Sequence, residues 1–290
     1  MDCGLSTVDS YFYPMALQKS PYQYISWLSI DVVIGAMAGM VFFEELLHSN
    51  LQWPAYVLLA LAVWSIYTLD HLQDVHSTDL PSSPRRVYHL AHWRLLSLIL
   101  AISVSLGLTG AFWWFGWGKE LQLTLALAVM ILGSKFLIRK AGPGWMKEFS
   151  IAVFYVVGIA WLPILRADGI DLVWQDLIFI LIYMCLAFLN LLMLSFIDKD
   201  EDQNAGFFSA AWSLPPILLI QWIRKLAFAL IFISMAGFVL LSSFYRPFAC
   251  ILLLMSLVHY LTFFQAGLSL EQKRMRMEAS FILPGLLLFL

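Results

Sequence analysis

Two short stretches of this chain carry carboxylates at helical spacing, each where an apolar run gives way to polar residues. The first reads DHLQDVHSTD from Asp70 to Asp79, and the second DKDEDQNAG from Asp198 to Gly206. Asp70 and Asp74 are four residues apart, as are Asp198 and Asp202, so each pair shares one helix face. Paired carboxylates on one face repel each other, and a bound cation reverses that penalty. Hard carboxylate oxygens without a matching His or Cys set suit Mg²⁺, which takes one or two protein carboxylates together with phosphate oxygens and water. Two such pairs facing each other across a helical bundle would hold a diphosphate through Mg²⁺, with a greasy tail running down between the helices. The metal would offset charge developing on the leaving group. Either pair taken alone reads equally well as charges marking the place where a loop meets water.

The elements that must position these residues are membrane helices. Of 290 residues, 61% are hydrophobic and 12% charged, and the mean hydropathy is +0.82. The charged share is half the ~25% of ordinary globular domains. Uncharged runs close to the ~20 residues that cross a bilayer recur along the chain. Long runs span Tyr24 to Leu47, Leu51 to Leu69, Leu95 to Trp117, Leu121 to Ile138, Phe149 to Leu165, Leu177 to Ile197, Leu226 to Phe244 and Pro247 to Leu270. A last run, Ala279 to Leu290, is short for a span. The expected fold is an all-α polytopic bundle of about nine transmembrane helices. It forms one integral membrane domain over 1–290, with polar loops at about 70–94 and 198–224 carrying the acidic motifs. Pro215 and Pro216 interrupt an apolar piece at 207–222, which reads as a surface or re-entrant segment. Cys3, Cys185 and Cys250 are far apart and read as small apolar residues rather than a metal or disulfide set.

Charge asymmetry orients the bundle. With the double-proline piece not crossing, Lys119, Arg166 and Arg246 fall on one side and the other fourteen of the 17 Lys and Arg on the opposite side. The positive-inside rule then predicts a cytoplasmic amino terminus, with both acidic clusters on the cytoplasmic face. No cleavable signal segment is evident in the first twenty residues. The compact chain without an organelle presequence points to a bacterial inner membrane.

On these motifs the chain resembles the UbiA-type intramembrane prenyltransferases, a family of about nine helices with two Asp-rich cytoplasmic motifs. The family's second motif, DxxxDxxxG, is matched by Asp198, Asp202 and Gly206. The first is altered: Asp70 stands where the family has Asn, His71 where it has Asp, Asp74 matches, and Thr78 replaces the last Asp, with Asp79 beside it. Tyr67 before the motif and Pro84, Arg85 and Arg86 after it also fit. The resemblance implies that Asp70, Asp74, Asp198 and Asp202 are metal ligands at the catalytic centre. They would bind Mg²⁺ and an isoprenoid diphosphate donor, whose prenyl group passes to a lipophilic, often aromatic acceptor with release of pyrophosphate.

Other residues support this reading, each with a plainer alternative. Lys135 and Arg139 share a helix face, and with Lys147, Arg85 and Arg86 they could bind the diphosphate. The same charges could simply meet anionic membrane lipids. Asp31 lies some seven residues inside an apolar run, where a lipid-facing carboxylate is costly, so it is expected to face a cavity, to pair with another helix or to mark a helix boundary that falls elsewhere. His71 and Asn190 are further candidate cavity residues; His259 and Gln265 are weaker ones. Nothing in the chain resembles a nucleotide-binding loop or a nucleic-acid surface. A homologue that has kept the fold but diverged in or lost catalysis, and a small-solute or cation transporter built on Asp31, are the competing functions.

Overall fold

Inside a bilayer a backbone must satisfy its own hydrogen bonds, and apolar runs of this length do so as helices. The computed structural model describes residues 21–77, 84–141, 144–167, 173–204 and 209–289; the side chains at 76–77, 132, 134–141, 201–202 and 204 lie outside that description. The described residues are helical, with no strand among them. In chain order they form α1 (Pro21–Trp27), α2 (Ile30–Leu46), α3 (Trp53–Ser77), α4 (Pro84–Ala91), α5 (Trp93–Phe115), α6 (Lys119–Ala141) and α7 (Gly144–Arg166). Then come α8 (Trp174–Ile197), α9 (Lys199–Asn204), α10 (Ala210–Ser213), α11 (Pro216–Leu240), α12 (Arg246–Phe264) and α13 (Leu270–Ala279), with a 3₁₀ segment at Ser280–Phe289.

Among the described residues six helices are long and apolar enough to cross a membrane: α3, α5, α7, α8, α11, and α12 with the 3₁₀ turn before it. The pair α1 and α2, bent by 70° at their break, makes a seventh if it counts as one span. This is the architecture of a multi-pass, all-helical integral membrane protein.

Three sequence expectations change in detail. The run from Tyr24 to Leu47 is broken at Ser29, whose φ of 56° lies in the left-handed region. Asp31 therefore sits in the first turn of α2 rather than deep inside a span, and its Oδ1 accepts the Val32 N–H at 2.9 Å. Unpaired N–H groups and the positive end of the helix dipole are where a buried carboxylate is best tolerated. The double-proline segment divides in turn, into the short α10 and the first turns of α11. Pro215 precedes α11 and Pro216 opens it, positions where proline's missing N–H costs nothing. Arg224 and Lys225 consequently lie on an exposed side of α11, Arg224 5.2 Å from the centre of the Phe264 ring, instead of in a loop. The last run adopts a 3₁₀ path containing Pro284. At ~2.0 Å per residue its ten residues reach ~20 Å, against ~15 Å for an α-helix.

Close approach of backbones holds the bundle together, since lipid tails supply no hydrophobic drive between helices. Gly35 and Gly39 of α2 form a GxxxG pair. A Cβ at Gly35 would stand 3.0 Å from Phe281 Cβ, and one at Gly39 would stand 2.6 Å from Ile159 Cδ1. Around Phe42 the rings of Phe43, Phe179, Tyr183 and Phe248 pack at centroid distances of 5.2–6.4 Å. Between α3 and α5, Gly107 and Gly110 meet Leu61 and Leu58, and the Ser65 and Ser103 hydroxyls share a hydrogen bond of 3.0 Å. Helix α6 is tied to the end of α7 by the Arg166–Glu120 ion pair at 2.9 Å and by Trp161 Nε1 donating to Thr124 at 3.1 Å.

Candidate functional site

At one end of the bundle a cavity of about 250 Å³ collects side chains from both acidic motifs. Helix α3 contributes Tyr67, Asp70 and His71, α4 contributes Arg85, and α7 contributes Lys147, Glu148, Ile151, Ala152 and Tyr155. From α8 come Ala187, Asn190, Leu191, Leu194 and Ser195, with Asp198 at its end; Ser209 precedes α10. Helix α13 adds Arg274 and Glu278, and Val32 and Phe281 complete the wall. The members on α7 and α8 recur at i, i+3, i+4 and i+7, the spacing of a single helix face. Each of those faces is charged at its end and mostly apolar further into the membrane, with Tyr155 on α7 and Asn190 on α8 as the polar members there. The volume lies below the ~300–1,000 Å³ usual for ligand pockets, so a long apolar tail would have to continue between helices.

The charges are arranged in opposed sets. Arg274 donates from Nη2 to Asp198 Oδ2, and both side chains are largely buried. Asp74, one turn beyond Asp70, does not line the cavity but feels the charges of Asp70, Arg86, Lys147 and Arg85. His71 Nε2 lies 3.2 Å from Ser29 Oγ, and its ring meets that of His89 at 5.0 Å. His89 donates from Nδ1 to the Arg85 carbonyl at 2.9 Å, fixing the first turn of α4. Burial holds His89 below the usual histidine range and the Arg85 charge adds to this, while the bond to the Arg85 carbonyl opposes it.

Deeper in the cavity, a buried polar network holds Asn190. Its amide lies 3.2 Å from His259 Nε2, and His259 Nδ1 lies 2.8 Å from the Met255 carbonyl, to which it must donate. The Asn190 atom facing Nε2 is its Oδ1, so the side chain is held between the imidazole and the cavity. Ser280 Oγ closes the network by donating to the Met277 carbonyl at 2.7 Å.

Glu278, on the half-buried side of α13, is pushed up to about 7. Desolvation is the largest cause, Asp31 and Asp198 raise it further, and Arg274 and Arg85 pull it down. Between the ordinary value of 4.5 and about 7 the folded protein holds a proton that the unfolded chain has released. Stability from this group therefore falls as pH rises through that interval and stays low above it. The expected result is a thermal midpoint in detergent that drops across this window, and a Glu278→Gln variant whose profile is flatter there. Parallel profiles for the two proteins would exclude Glu278 as the cause.

The structure brings together Asp70, Asp198, Arg85, Lys147, His71 and Asn190. It leaves Asp31 out of the wall, where its neighbour Val32 stands, and it leaves Arg86 beside Asp74. Thr78, Asp79 and Gly206 lie outside the described residues, as do the side chains of Lys135, Arg139 and Asp202. Sequence reasoning missed Glu148, Ser195, Tyr155, Arg274 and Glu278. Arg274 and Glu278 are four apart, a helical signal just after the last long run; Arg274 entered the sequence reading only as a topology-setting charge.

Among the described residues no three His, Cys, Asp or Glu groups are placed to hold a metal ion by themselves. Mg²⁺ asks less of the protein, one or two carboxylates with phosphate and water completing the shell. Asp70 and Asp198 are two carboxylates that line the one cavity, as many as such a site would need.

Fold and cavity together define a class: a multi-pass helical membrane protein with a cavity at one end, charged outside and lined further in by apolar side chains around Asn190. No family model matches the chain, and no curated protein or solved structure matches it.

Proposed function

We propose that this protein is a Mg²⁺-dependent prenyltransferase of the UbiA type. It would take an isoprenoid diphosphate at the cytoplasmic mouth of a nine-pass bundle and pass the prenyl group to a lipophilic acceptor. A bacterial inner membrane with the amino terminus inside is the setting that fits the charge asymmetry. The observation that carries the reading is that Asp70 and Asp198, 128 residues apart, line one cavity together with Arg85 and Lys147. One short sequence motif is weak evidence; the convergence of two on a site of mixed charge above an apolar wall is stronger.

Asp70 and Asp198 would hold the metal, with Asp74 and Asp202 one turn beyond each. When bound, Mg²⁺ supplies positive charge to the diphosphate as its bond to carbon breaks. The chain's own residues do the rest. Arg85, Lys147 and Arg274 offset charge on the departing diphosphate from three separate helices. Tyr155 and Phe281, packed edge to face with centroids 6.0 Å apart, line one part of the wall, against which the allylic chain would lie and the cation that forms would be steadied. Leu191, Leu194 and Ile151 keep water from capturing that cation.

The competing reading, a fold kept without turnover, has one observation in its favour. His71 stands at a family Asp position and lies within hydrogen-bond reach of Ser29 rather than offering a carboxylate.

Tritiated farnesyl and geranylgeranyl diphosphates, titrated into the detergent-purified chain with Mg²⁺ or with chelator, test the proposal. Binding that weakens at least ~10-fold on chelation is expected. Absence of binding to folded protein would sink it.

A further inference from the structure

We propose that Glu148 is the general base of this site, taking the proton that the acceptor sheds as it is alkylated; the inference rests on the transfer reading above. Glu148 is only 5% exposed, four residues into α7, and lines the cavity between Lys147 at the mouth and Ile151 below. Its two oxygens do different things. Oε1 accepts the Ala210 N–H at 2.9 Å and so caps α10, while Oε2 is buried without a hydrogen-bond partner. The neighbouring α10 donor, Ala211 N–H, is taken by Ser195 Oγ at 3.0 Å, and the Ser195 hydroxyl stands beside the same carboxylate.

Capping α10 does not require a carboxylate. One carbonyl oxygen suffices for the Ala210 N–H, and an amide is far cheaper to bury in a membrane protein than a charge. What a carboxylate adds at Oε2 is the capacity to take a proton from a group inside the cavity. The chemistry of prenyl transfer needs that capacity once per turnover. The bond from the prenyl carbon to the diphosphate oxygen breaks, and the oxygen keeps the electron pair. The acceptor's nucleophilic atom forms the new bond to that carbon. The proton the acceptor loses goes to Glu148 Oε2 and then to water at the mouth. The other carboxylates lining the cavity are otherwise engaged: Asp198 pairs with Arg274, Asp70 belongs to the metal's proposed donor set, and Glu278 lies beside the Arg274 charge. The acceptor implied is a molecule with an ionisable O–H, N–H or activated aromatic C–H, not a saturated lipid.

The test uses the detergent-purified full chain and two measurements. Glu148→Gln keeps the carbonyl that caps α10 but cannot take a proton. It is expected to bind geranylgeranyl diphosphate within about twofold of wild type. Transfer of its tritiated prenyl group to acceptors in a membrane lipid extract should fall by ~100-fold or more. Transfer by Glu148→Gln at the wild-type rate overturns the base. Wild-type protein that binds no donor overturns the transfer reading instead.

Discussion

Asn in place of Asp198 should lower prenyl transfer by ~100-fold or more while leaving the helices assembled. The substitution removes charge and nothing else. Its effect comes from two places, because Asp198 stands both in the metal's proposed donor set and in an ion pair with Arg274. Arg274 would then face a dipole where it had a carboxylate. Stranding a fully buried charge costs about 3–5 kcal/mol. Here the loss should be smaller, about 1–2 kcal/mol, because Glu278 lies one turn along α13 and its field already couples to Arg274. Donor binding measured against Mg²⁺ concentration separates the two contributions. Arg274→Gln leaves Asp198 free of its competitor, so the Mg²⁺ needed for half-saturation should fall even as diphosphate affinity drops. If both variants shift the Mg²⁺ requirement in the same direction, Asp198 is not exchanging an arginine for a metal.

A methyl group at Gly144 should be among the most damaging single-atom additions in the protein. Gly144 opens α7 and packs directly on the segment that follows the second acidic motif. A Cβ there would collide with the backbone carbonyl of Ser209 and come within 2.8 Å of Ser213 Oγ. Backbone cannot swing away as the end of a side chain can, so α7 and α10 must part. That separation also breaks the Glu148 cap on Ala210 and moves Ser209 out of the cavity wall. Overpacking costs about 1–3 kcal/mol, and this case should sit at or above the upper end. Gly158, in the same helix with open space around its missing Cβ, provides the control. Gly158→Ala should be neutral or stabilising by up to ~1 kcal/mol, since alanine favours the helix. Thermal unfolding of the two variants in detergent makes the comparison; equal midpoints would mean that α10 does not rest on α7.

Much of this molecule is legible in one dimension. Apolar runs of about twenty residues specify helices because a bilayer offers the backbone no other partner. The four-residue spacing places Asp70 and Asp74 one turn apart on α3, since 3.6 residues per turn fix the succession of side chains, whereas Asp198 ends α8 and Asp202 falls in α9 with its side chain outside the described residues. The altered first motif and the matching second one were visible in the same way. The bend at Ser29 was not, because its left-handed φ belongs to a residue with no preference for it, and so Asp31 was assigned to the interior of a span.

Tertiary structure alone decided which faces meet. In a soluble helix the apolar stripe marks the buried side, but in a membrane the lipid-facing and bundle-facing sides are both apolar and periodicity loses that information. Hence nothing in the sequence joined Arg274 to Asp198 across 76 residues, or brought His259 to Asn190 across 69. Glu148 at the start of the fifth apolar run looked like one more charge at a membrane boundary. Its burial, its cap on α10 and its unpartnered oxygen exist only because Gly144 lets two helix ends touch. The sequence determined the helices and the residues each carries on a given face; packing among interchangeable apolar surfaces determined the cavity those faces enclose.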